Sequence, residues 1–219
     1  VKRIFIHLIA YIIYFQVSSS LAMSADFILL ENDEVFEVCY SQSFYDPSVS
    51  PPPKEGGVLP EIHLPTPKDP RDKDYLGLSH AKDTFKIPEI KARVVIIEIF
   101  SMYCPYCQAE APRVNELYKT IEDDPDLRNK IKLIGIGARN SSYEIGVFKK
   151  RYQVPFPLFP DRSSVHHKAL GKVKTPYFIG VKMSDDATHQ VFYSKVGRFQ
   201  SIEQFLKILR EVTESDTTR

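Results

Sequence analysis

A strand that leads directly into two cysteines is the feature that most constrains this fold. Residues 93–100 form a nearly continuous β-branched apolar run, which is typical of a strand covered on both faces of a sheet. Cys104 and Cys107 follow, and behind them apolar residues recur at three- and four-residue steps to about Glu122, which predicts a helix. The sequence therefore predicts a central strand that passes through a cysteine pair into a helix.

Strands and helices alternate along the rest of the chain. Further strands are predicted at residues 131–136, 156–159, 177–182 and 190–196. Further helices are predicted from Ser142 to Tyr152, from Asp161 or Ser163 to Leu170, and after a cap at Ser201. Such alternation indicates an α/β protein with a central mixed or parallel sheet flanked by helices.

The first 25 residues have the composition of an export signal. Lys2 and Arg3 precede an apolar run that ends at Phe15, and small residues lead to a favoured cleavage site after Ala25. The apolar run is shorter than the roughly 20 residues that span a bilayer comfortably. We therefore interpret residues 1–25 as a signal peptide, with an uncleaved membrane anchor as the alternative. The protein is expected in a periplasmic or other extracytoplasmic compartment, which is oxidising and favours disulfide chemistry.

We interpret residues 26–75 as a proline-rich extension and residues 76–215 as the folded domain. Eight of the sixteen prolines lie between Pro47 and Pro70, and proline fixes its own backbone and disfavours helix in the residue before it. An extended segment is expected here, with a short edge strand within residues 58–65. Cys39 also lies here, and we interpret it as an idle thiol rather than a third redox thiol or an intermolecular link.

Charge and cysteine content argue against several classes of protein. The chain carries 29 Lys and Arg against 28 Asp and Glu, so it lacks the basic excess that binding to a nucleic-acid backbone requires. No nucleic-acid partner is expected. Three cysteines also cannot form the disulfide framework of a miniprotein, so the cysteine pair requires a local chemical explanation.

Cys104 lies at or just before the first turn of the predicted helix, where a thiolate is favoured. Unpaired N–H groups and the positive end of the helix dipole lower the pKa of a cysteine from its usual value of about 8.5. Pro105 fits the first helical position, which needs no N–H. Three residues of separation bring Cys107 within disulfide range of Cys104. The outer sulfur would attack a disulfide and the inner one would resolve it.

Metal sites are disfavoured by the positions of the other ligand-type residues. Zinc needs further ligands at matching spacing, but Cys39 lies in the extension and His166 and His167 lie far along the chain. A copper site that joins the histidine pair to the cysteines is disfavoured as well, because a short helix readily carries two surface histidines. Neither a metal nor another cofactor is therefore expected.

The sequence resembles the thioredoxin superfamily, and within it the exported TlpA/ResA-like thiol-disulfide oxidoreductases. The resemblance covers residues 76–213. It rests on the strand 94–100, the motif Cys104-Pro105-Tyr106-Cys107, Pro112 inside the helix, and Thr175-Pro176 before a strand.

The resemblance implies a thioredoxin-like fold and a set of substrate-contacting residues. The helix from Ser142 and the strand at Phe156 would be the insertion that the TlpA-like branch adds. Pro176 would be cis and would lie against the cysteine pair, while Thr175 would offer backbone pairing to a substrate chain. Pro105 and Tyr106, between the cysteines, would contact the substrate as well.

Two acids near the cysteines are expected to transfer protons. Glu98 lies six residues before Cys104 in the apolar strand, at the place of the buried acid of thioredoxins. Glu110 lies one helical turn after Cys107, where the ResA-like branch keeps an acid. A carboxyl group whose pKa is raised in a dry site suits a base that works near neutral pH, and we expect Glu98 to do most of this work. The alternatives are a strand-edge salt bridge for Glu98 and a solvated helix face for Glu110.

The expected function is an exported enzyme that reduces disulfides through Cys104 and Cys107. The resemblance implies exported disulfide-containing proteins as substrates and a membrane electron donor that recharges the pair. The alternatives are a thiol oxidase or isomerase, or a non-catalytic module that binds copper or a partner protein. A peroxidase is disfavoured because peroxiredoxins place a threonine three residues before the reactive cysteine, and Ser101 stands there in this chain.

Overall fold

The computed structural model describes residues 49–78, 83–183 and 189–214. The signal segment, Cys39 and the part of the extension before residue 49 lie outside these residues. The strands are β1 His63–Pro65, β2 Thr84–Lys86, β3 Val94–Phe100, β4 Ile131–Ala138, β5 Leu158–Asp161, β6 Tyr177–Met183 and β7 His189–Val196. The helices are α1 Pro70–Leu76, α2 Pro105–Asp123, α3 Ser142–Arg151, α4 Val165–Ala169 and α5 Ile202–Glu214. Within the described ranges, no helix has the length and apolar character needed to cross a membrane.

Five strands form one mixed sheet in the order β5-β4-β3-β6-β7. The central strand β3 runs parallel to β4 and antiparallel to β6. All seven of its residues are buried, as its apolar sequence predicts. The predicted α/β class with a mixed central sheet flanked by helices is therefore confirmed. The strand predicted at 156–159 lies at 158–161 instead, because its pairing with β4 begins where Leu158 stands opposite Gly135.

The two faces of β3 contribute to two different cores. Side chains alternate along a strand, so Val95, Ile97 and Ile99 face a first core, whereas Val94, Ile96 and Phe100 face a second. The first core includes residues of the β1–β2 hairpin and of α1, namely Leu64, Leu76 and Phe85. The second includes residues of α2 and α5, namely Cys107, Ala111, Val114, Leu117, Phe205 and Leu209. By the same alternation, Glu98 lies on the second face.

The segment before the hairpin covers the outer edge of β7. Val191 accepts a hydrogen bond from the Gly56 N–H at 2.7 Å and donates one to the Gly57 carbonyl at 2.8 Å. These bonds satisfy backbone groups that an open edge strand would otherwise offer to another chain. The edge strand predicted within residues 58–65 is present only at residues 63–65, where it pairs with β2, while Val58 forms an isolated bridge.

Candidate active site

The carboxyl end of β3 places the two cysteines at the start of α2. Cys104 is the residue that caps the helix; its backbone is extended, with φ −84° and ψ 114°, and Pro105 occupies the first helical turn. The Cys104 N–H donates to the Ser101 carbonyl at 3.0 Å, and the Cys104 carbonyl accepts from the Gln108 N–H at 3.1 Å. The sulfur of Cys104 is therefore presented at the positive end of a 19-residue helix.

Both backbone groups of Met102 are held by side chains, which fixes the loop before Cys104. The Met102 N–H donates to Asn140 Oδ1 at 2.8 Å, and its carbonyl accepts from Gln108 Nε2 at 2.7 Å. Asn140 follows β4 and is fully buried. Sequence reasoning did not identify Asn140 or Gln108 as parts of the site, because nothing in their local pattern indicates a distant backbone partner.

The two cysteines occupy opposite environments. Cys107 is fully buried in the second core, whereas Cys104 is partly exposed. Burial alone would raise the pKa of Cys104, but hydrogen bonds from the Thr175 side chain and from the N–H groups of Cys107 and Tyr106 hold the pKa of this thiol below its ordinary value. Burial raises the pKa of Cys107 far above its ordinary value. Cys104 is thus the readily ionised sulfur, and Cys107 keeps its proton.

Thr175, which directly precedes Pro176, lies against the Cys104 sulfur. The Cys104 thiol donates to the Thr175 carbonyl oxygen, with 3.3 Å between sulfur and oxygen. The Thr175–Pro176 peptide bond is cis. The Pro176 carbonyl accepts from the Gly197 N–H at 2.8 Å, which ties this loop to the end of β7. The structure therefore brings two residues from a distant part of the chain to the cysteine pair.

Glu98 is a buried acid that has no charge partner among residues 49–78, 83–183 and 189–214. Its side chain is 2% exposed, and its Oε1 has no hydrogen-bond partner among the residues that the structure describes. Burial, together with the nearby charge of Glu110, raises the pKa of Glu98 to about 8. Glu98 lies on the same face of β3 as the core that holds Cys107, and it forms no strand-edge salt bridge within the described chain.

Glu110 is equally buried but has partners. Its side chain is 0% exposed, so it does not lie on a solvated helix face. Oε1 accepts from the Phe199 N–H at 3.3 Å, and Oε2 lies 3.0 Å from Arg198 Nε, at ion-pair distance but without hydrogen-bond alignment. Arg113 Nε is farther, at 4.0 Å. Burial raises the pKa of Glu110, and the Phe199 N–H and both arginines oppose this rise. Arg198 was not identified from the sequence, since it lies far from Glu110 along the chain.

Tyrosines flank Cys104 on the solvent side. Tyr106 is 72% exposed and Tyr103 is 66% exposed. The Tyr103 hydroxyl donates to Glu144 Oε1, and Glu144 also accepts from Ser141 in the capping box of α3. Hydrogen bonds from Tyr103, and then from Ser141, lower the pKa of Glu144 to about 2. The helix α3 is thereby linked to the active-site loop.

The histidine pair stands apart from the cysteines. His166 and His167 lie on α4, where their backbone N–H groups donate to the buried carboxylate of Asp161. The His167 Nε2 lies 2.8 Å from the Val173 carbonyl oxygen. These contacts tie α4 to its neighbouring loops.

Comparison with known proteins identifies the family. The AhpC/TSA family model matches residues 60–194, which is more than half of the chain. The chain belongs to the AhpC/TSA family. This matched range of the AhpC/TSA protein includes β3, the cysteine pair, the cis proline and most of β7.

The AhpC/TSA protein is also similar to curated thiol-disulfide oxidoreductases named ResA. It is 25% identical to ResA of Bacillus thuringiensis subsp. konkukian over 92 residues, which are 42% of this chain and 50% of that protein. It is 24% identical to ResA of Bacillus cereus strain ZK over 131 residues, which are 58% of this chain and 68% of that protein. The chain thus spans about half the length of the first of these relatives.

Solved structures support the thioredoxin-like fold. The thioredoxin domain of a thiol-disulfide oxidoreductase from Bacteroides vulgatus superposes with a TM-score of 0.52 at 12% identity. The superposition covers 73% of this chain and 98% of that domain. The AhpC/TSA protein therefore has the thioredoxin-like fold that its sequence resembles.

Proposed function

We propose that this protein is a thiol-disulfide oxidoreductase that reduces disulfides of exported proteins through Cys104 and Cys107. The contrast between the two sulfurs supports this proposal most directly. One sulfur is partly exposed at a helix N-terminus with a lowered pKa, and the other is buried with a raised pKa. An accessible, more readily ionised sulfur suits attack on a substrate disulfide, and a buried neighbouring sulfur suits resolution once its proton has been removed.

The reaction transfers two electrons to the substrate. The Cys104 thiolate attacks one sulfur of the substrate disulfide, which forms a mixed disulfide and releases the other sulfur as a thiolate that takes a proton from water. Cys107 then loses its proton and attacks the Cys104 sulfur. The second substrate sulfur leaves and is protonated, and a Cys104–Cys107 disulfide remains. A membrane electron donor of the dithiol class would reduce this disulfide again.

In this proposal Glu98 is the base that takes the proton from Cys107, and it acts from the minor fraction of molecules in which its carboxyl group is ionised near neutral pH. A carboxyl group with a pKa of about 8 is matched to proton transfer near neutral pH. Glu110 has a supporting role, because its contacts with Phe199 and Arg198 stabilise its carboxylate form. The two acids therefore differ in their contacts, since Glu110 has a hydrogen-bond donor and a nearby guanidinium and Glu98 Oε1 has no partner within the described chain.

The substrate chain would pair with the backbone of Thr175, opposite Cys104. Pro176 shapes this edge, while Pro105 and the exposed Tyr106 contact the chain from the helix side. We propose that the protein acts outside the cytoplasm. There it is either free or tethered to the membrane by an uncleaved signal peptide. No metal or cofactor is needed for the steps above.

A disulfide-reduction assay on three full-length variants tests the proposal. Each carries Cys39→Ser, so that only the pair remains. The parent pair should reduce insulin with a dithiol donor, Cys104→Ser should lose at least about a thousandfold in rate, and Cys107→Ser should accumulate the mixed disulfide, seen by mass spectrometry. Mixed-disulfide formation through Cys107 in the Cys104→Ser variant, at the parent rate, would overturn the assignment.

The midpoint potential of the pair separates reduction from the alternative directions. A value near the thioredoxin potential of about −270 mV supports reduction, whereas a value near the DsbA potential of about −120 mV supports an oxidase. Peroxide consumption as fast as disulfide exchange would indicate a peroxidase instead.

A further inference from the structure

The sequence segments on either side of Thr175 and at the end of β7 contain basic residues and no acidic ones. No Asp or Glu occurs between residues 162 and 183 or between residues 189 and 202, although the chain as a whole is nearly neutral. The cations nearest the cis proline in sequence and in strand pairing are Lys172, Lys174, Lys195 and Arg198. A balanced chain therefore concentrates positive charge on the two loops that frame one side of Cys104.

Two backbone contacts place the chain segments that carry these cations at the end of the sheet that holds the reactive sulfur. Thr175, whose carbonyl oxygen lies 3.3 Å from Cys104 Sγ, directly follows Lys174. The Gly197 N–H donates to Pro176 at 2.8 Å, which places Lys195 and Arg198 at the same end of the sheet. We propose that this basic rim, formed by Lys174, Lys195 and Arg198, binds an acidic stretch of the substrate polypeptide next to its cysteine. The proposal rests on the proposed function, because it names the class of substrate.

The charge of the rim is available to a partner. Lys174 and Lys195 are exposed, and Lys195 Nζ lies 5.2 Å from the centre of the Tyr193 ring. Arg198 shares its charge with Glu110, so the two lysines contribute most of the free positive potential. Val196, between Lys195 and Arg198, is 58% exposed and adds an apolar contact.

Among the acids on neighbouring elements, Glu55 offsets part of the charge of this rim, because its backbone hydrogen bond to Ser194 leaves its carboxylate charged next to Lys195. Glu110 is buried. Glu144 lies on α3, where it accepts hydrogen bonds from the Tyr103 and Ser141 hydroxyl groups. Glu55 accepts from the Ser194 N–H at 3.3 Å, and Glu203 accepts from the Ser201 hydroxyl. The positive charge thus lies on the side where the substrate chain pairs with Thr175, which favours a polypeptide with Asp or Glu close to its cysteine.

Charge-matched peptides test this inference. Two short peptides of one length, each with a single cysteine capped as a disulfide by mercaptoethanol, carry either Asp or Lys on both sides of that cysteine. Reduced full-length protein with Cys39→Ser reacts with each peptide under stopped or quenched flow, and the products are separated by chromatography. The Asp peptide should react about tenfold faster than the Lys peptide at low ionic strength, and added salt should reduce the difference.

Lysine variants assign the effect to the rim. Lys174→Ser and Lys195→Ser should each slow the reaction with the Asp peptide by about two- to fivefold and leave the rate with bis(2-hydroxyethyl) disulfide, an uncharged linear disulfide, unchanged. Lys150→Ser on α3 changes the net charge equally and should have no effect, because this exposed lysine lies on a helix that connects β4 to β5, at the other edge of the sheet.

Binding of cysteine-free peptides separates this proposal from the proposed function. In these peptides serine replaces cysteine, so affinity is read whether or not the pair reacts. The basic rim is supported if the Asp peptide binds more tightly than the Lys peptide and if Lys174→Ser weakens this binding. This result holds even if no disulfide is reduced. Equal affinities and equal rates for the two peptides at low salt would overturn the basic rim, and so would equal losses in Lys150→Ser. Reduction of bis(2-hydroxyethyl) disulfide would still support the enzyme in that case.

Discussion

The two faces of β3 use the same strand for different purposes. On the first face, Val95, Ile97 and Ile99 pack against an apolar core closed by the hairpin and α1. On the second face, the same alternation places Glu98 between Ile96 and Phe100, under the helix that carries Cys107 and Glu110. The first face stabilises the fold through apolar packing alone. The second face also buries two acids, which is unfavourable for stability and shifts their pKa values. The comparison shows that a single polar residue in an alternating apolar strand is enough to place a buried acid on the face of the core that holds Cys107.

Matched cavity variants give the largest expected effects and test the division of the faces. Ile97→Ala and Ile96→Ala should each lower the free energy of unfolding by roughly 2 to 5 kcal/mol, because both side chains are fully buried. Only Ile96→Ala, on the face of Glu98, should shift the pH dependence of Cys107 alkylation. Urea unfolding and alkylation rates measure the two effects. Equal shifts of the alkylation profile in both variants would contradict the division.

Glu98→Gln should change how stability depends on pH. Since the pKa of Glu98 is raised from 4.5 to about 8, the native protein binds a proton that the unfolded chain has lost. Its contribution is fully present below pH 4.5 and is lost as pH rises to about 8, with a slope of at most about 1.4 kcal/mol per pH unit. The variant should lack this slope. Between about pH 5 and about pH 8, its free energy of unfolding should therefore rise by about 3 kcal/mol relative to that of the parent. Parallel stability profiles of the reduced proteins in urea would show that Glu98 is ionised in the native state.

The strand and the cysteine junction were predictable because each depends on local pattern. The apolar run of β3 and the periodicity of α2 gave the element types, and the predicted mixed sheet is confirmed. The short pieces α1 and β2 were not predicted, since seven and three residues carry too little periodicity and are stabilised by tertiary packing. Asn140 and Arg198 escaped prediction for another reason: their partners Met102 and Glu110 are distant in sequence, and no spacing rule connects them.

Arg198→Gln tests whether Arg198 lowers the pKa of Glu110, a contact that Glu98 lacks within the described chain. Loss of the guanidinium at 3.0 Å should raise the pKa of Glu110 further and lower the free energy of unfolding at about pH 7 by about 1 to 2 kcal/mol, a figure reduced because Arg198 is half exposed. Arg113→Gln is the matched control, and its effect should be below about 0.5 kcal/mol because Nε lies 4.0 Å away. Carboxyl-carbon NMR titration measures the pKa of Glu110 directly. The same titration curve in both variants would remove Arg198 from this role.

Tyr103→Phe should have the smallest effect, and it concerns the link between the active-site loop and α3. Without the phenolic donor, the pKa of Glu144 should rise from about 2 toward its ordinary value of 4.5, since the Tyr103 hydroxyl is the main cause of its depression. A depressed carboxyl pKa contributes stability above pH 4.5 that is lost as pH falls through about 2, so the variant should differ from the parent only where Glu144 is ionised. Tyr106→Phe removes a hydroxyl from an equally exposed neighbour of Cys104 and is the control. Carboxyl-carbon NMR of Glu144 should move in Tyr103→Phe alone, because the capping bonds from Ser141 remain in both variants. If both tyrosine variants left the titration of Glu144 unchanged, α3 would be held to the site by packing rather than by this hydrogen bond.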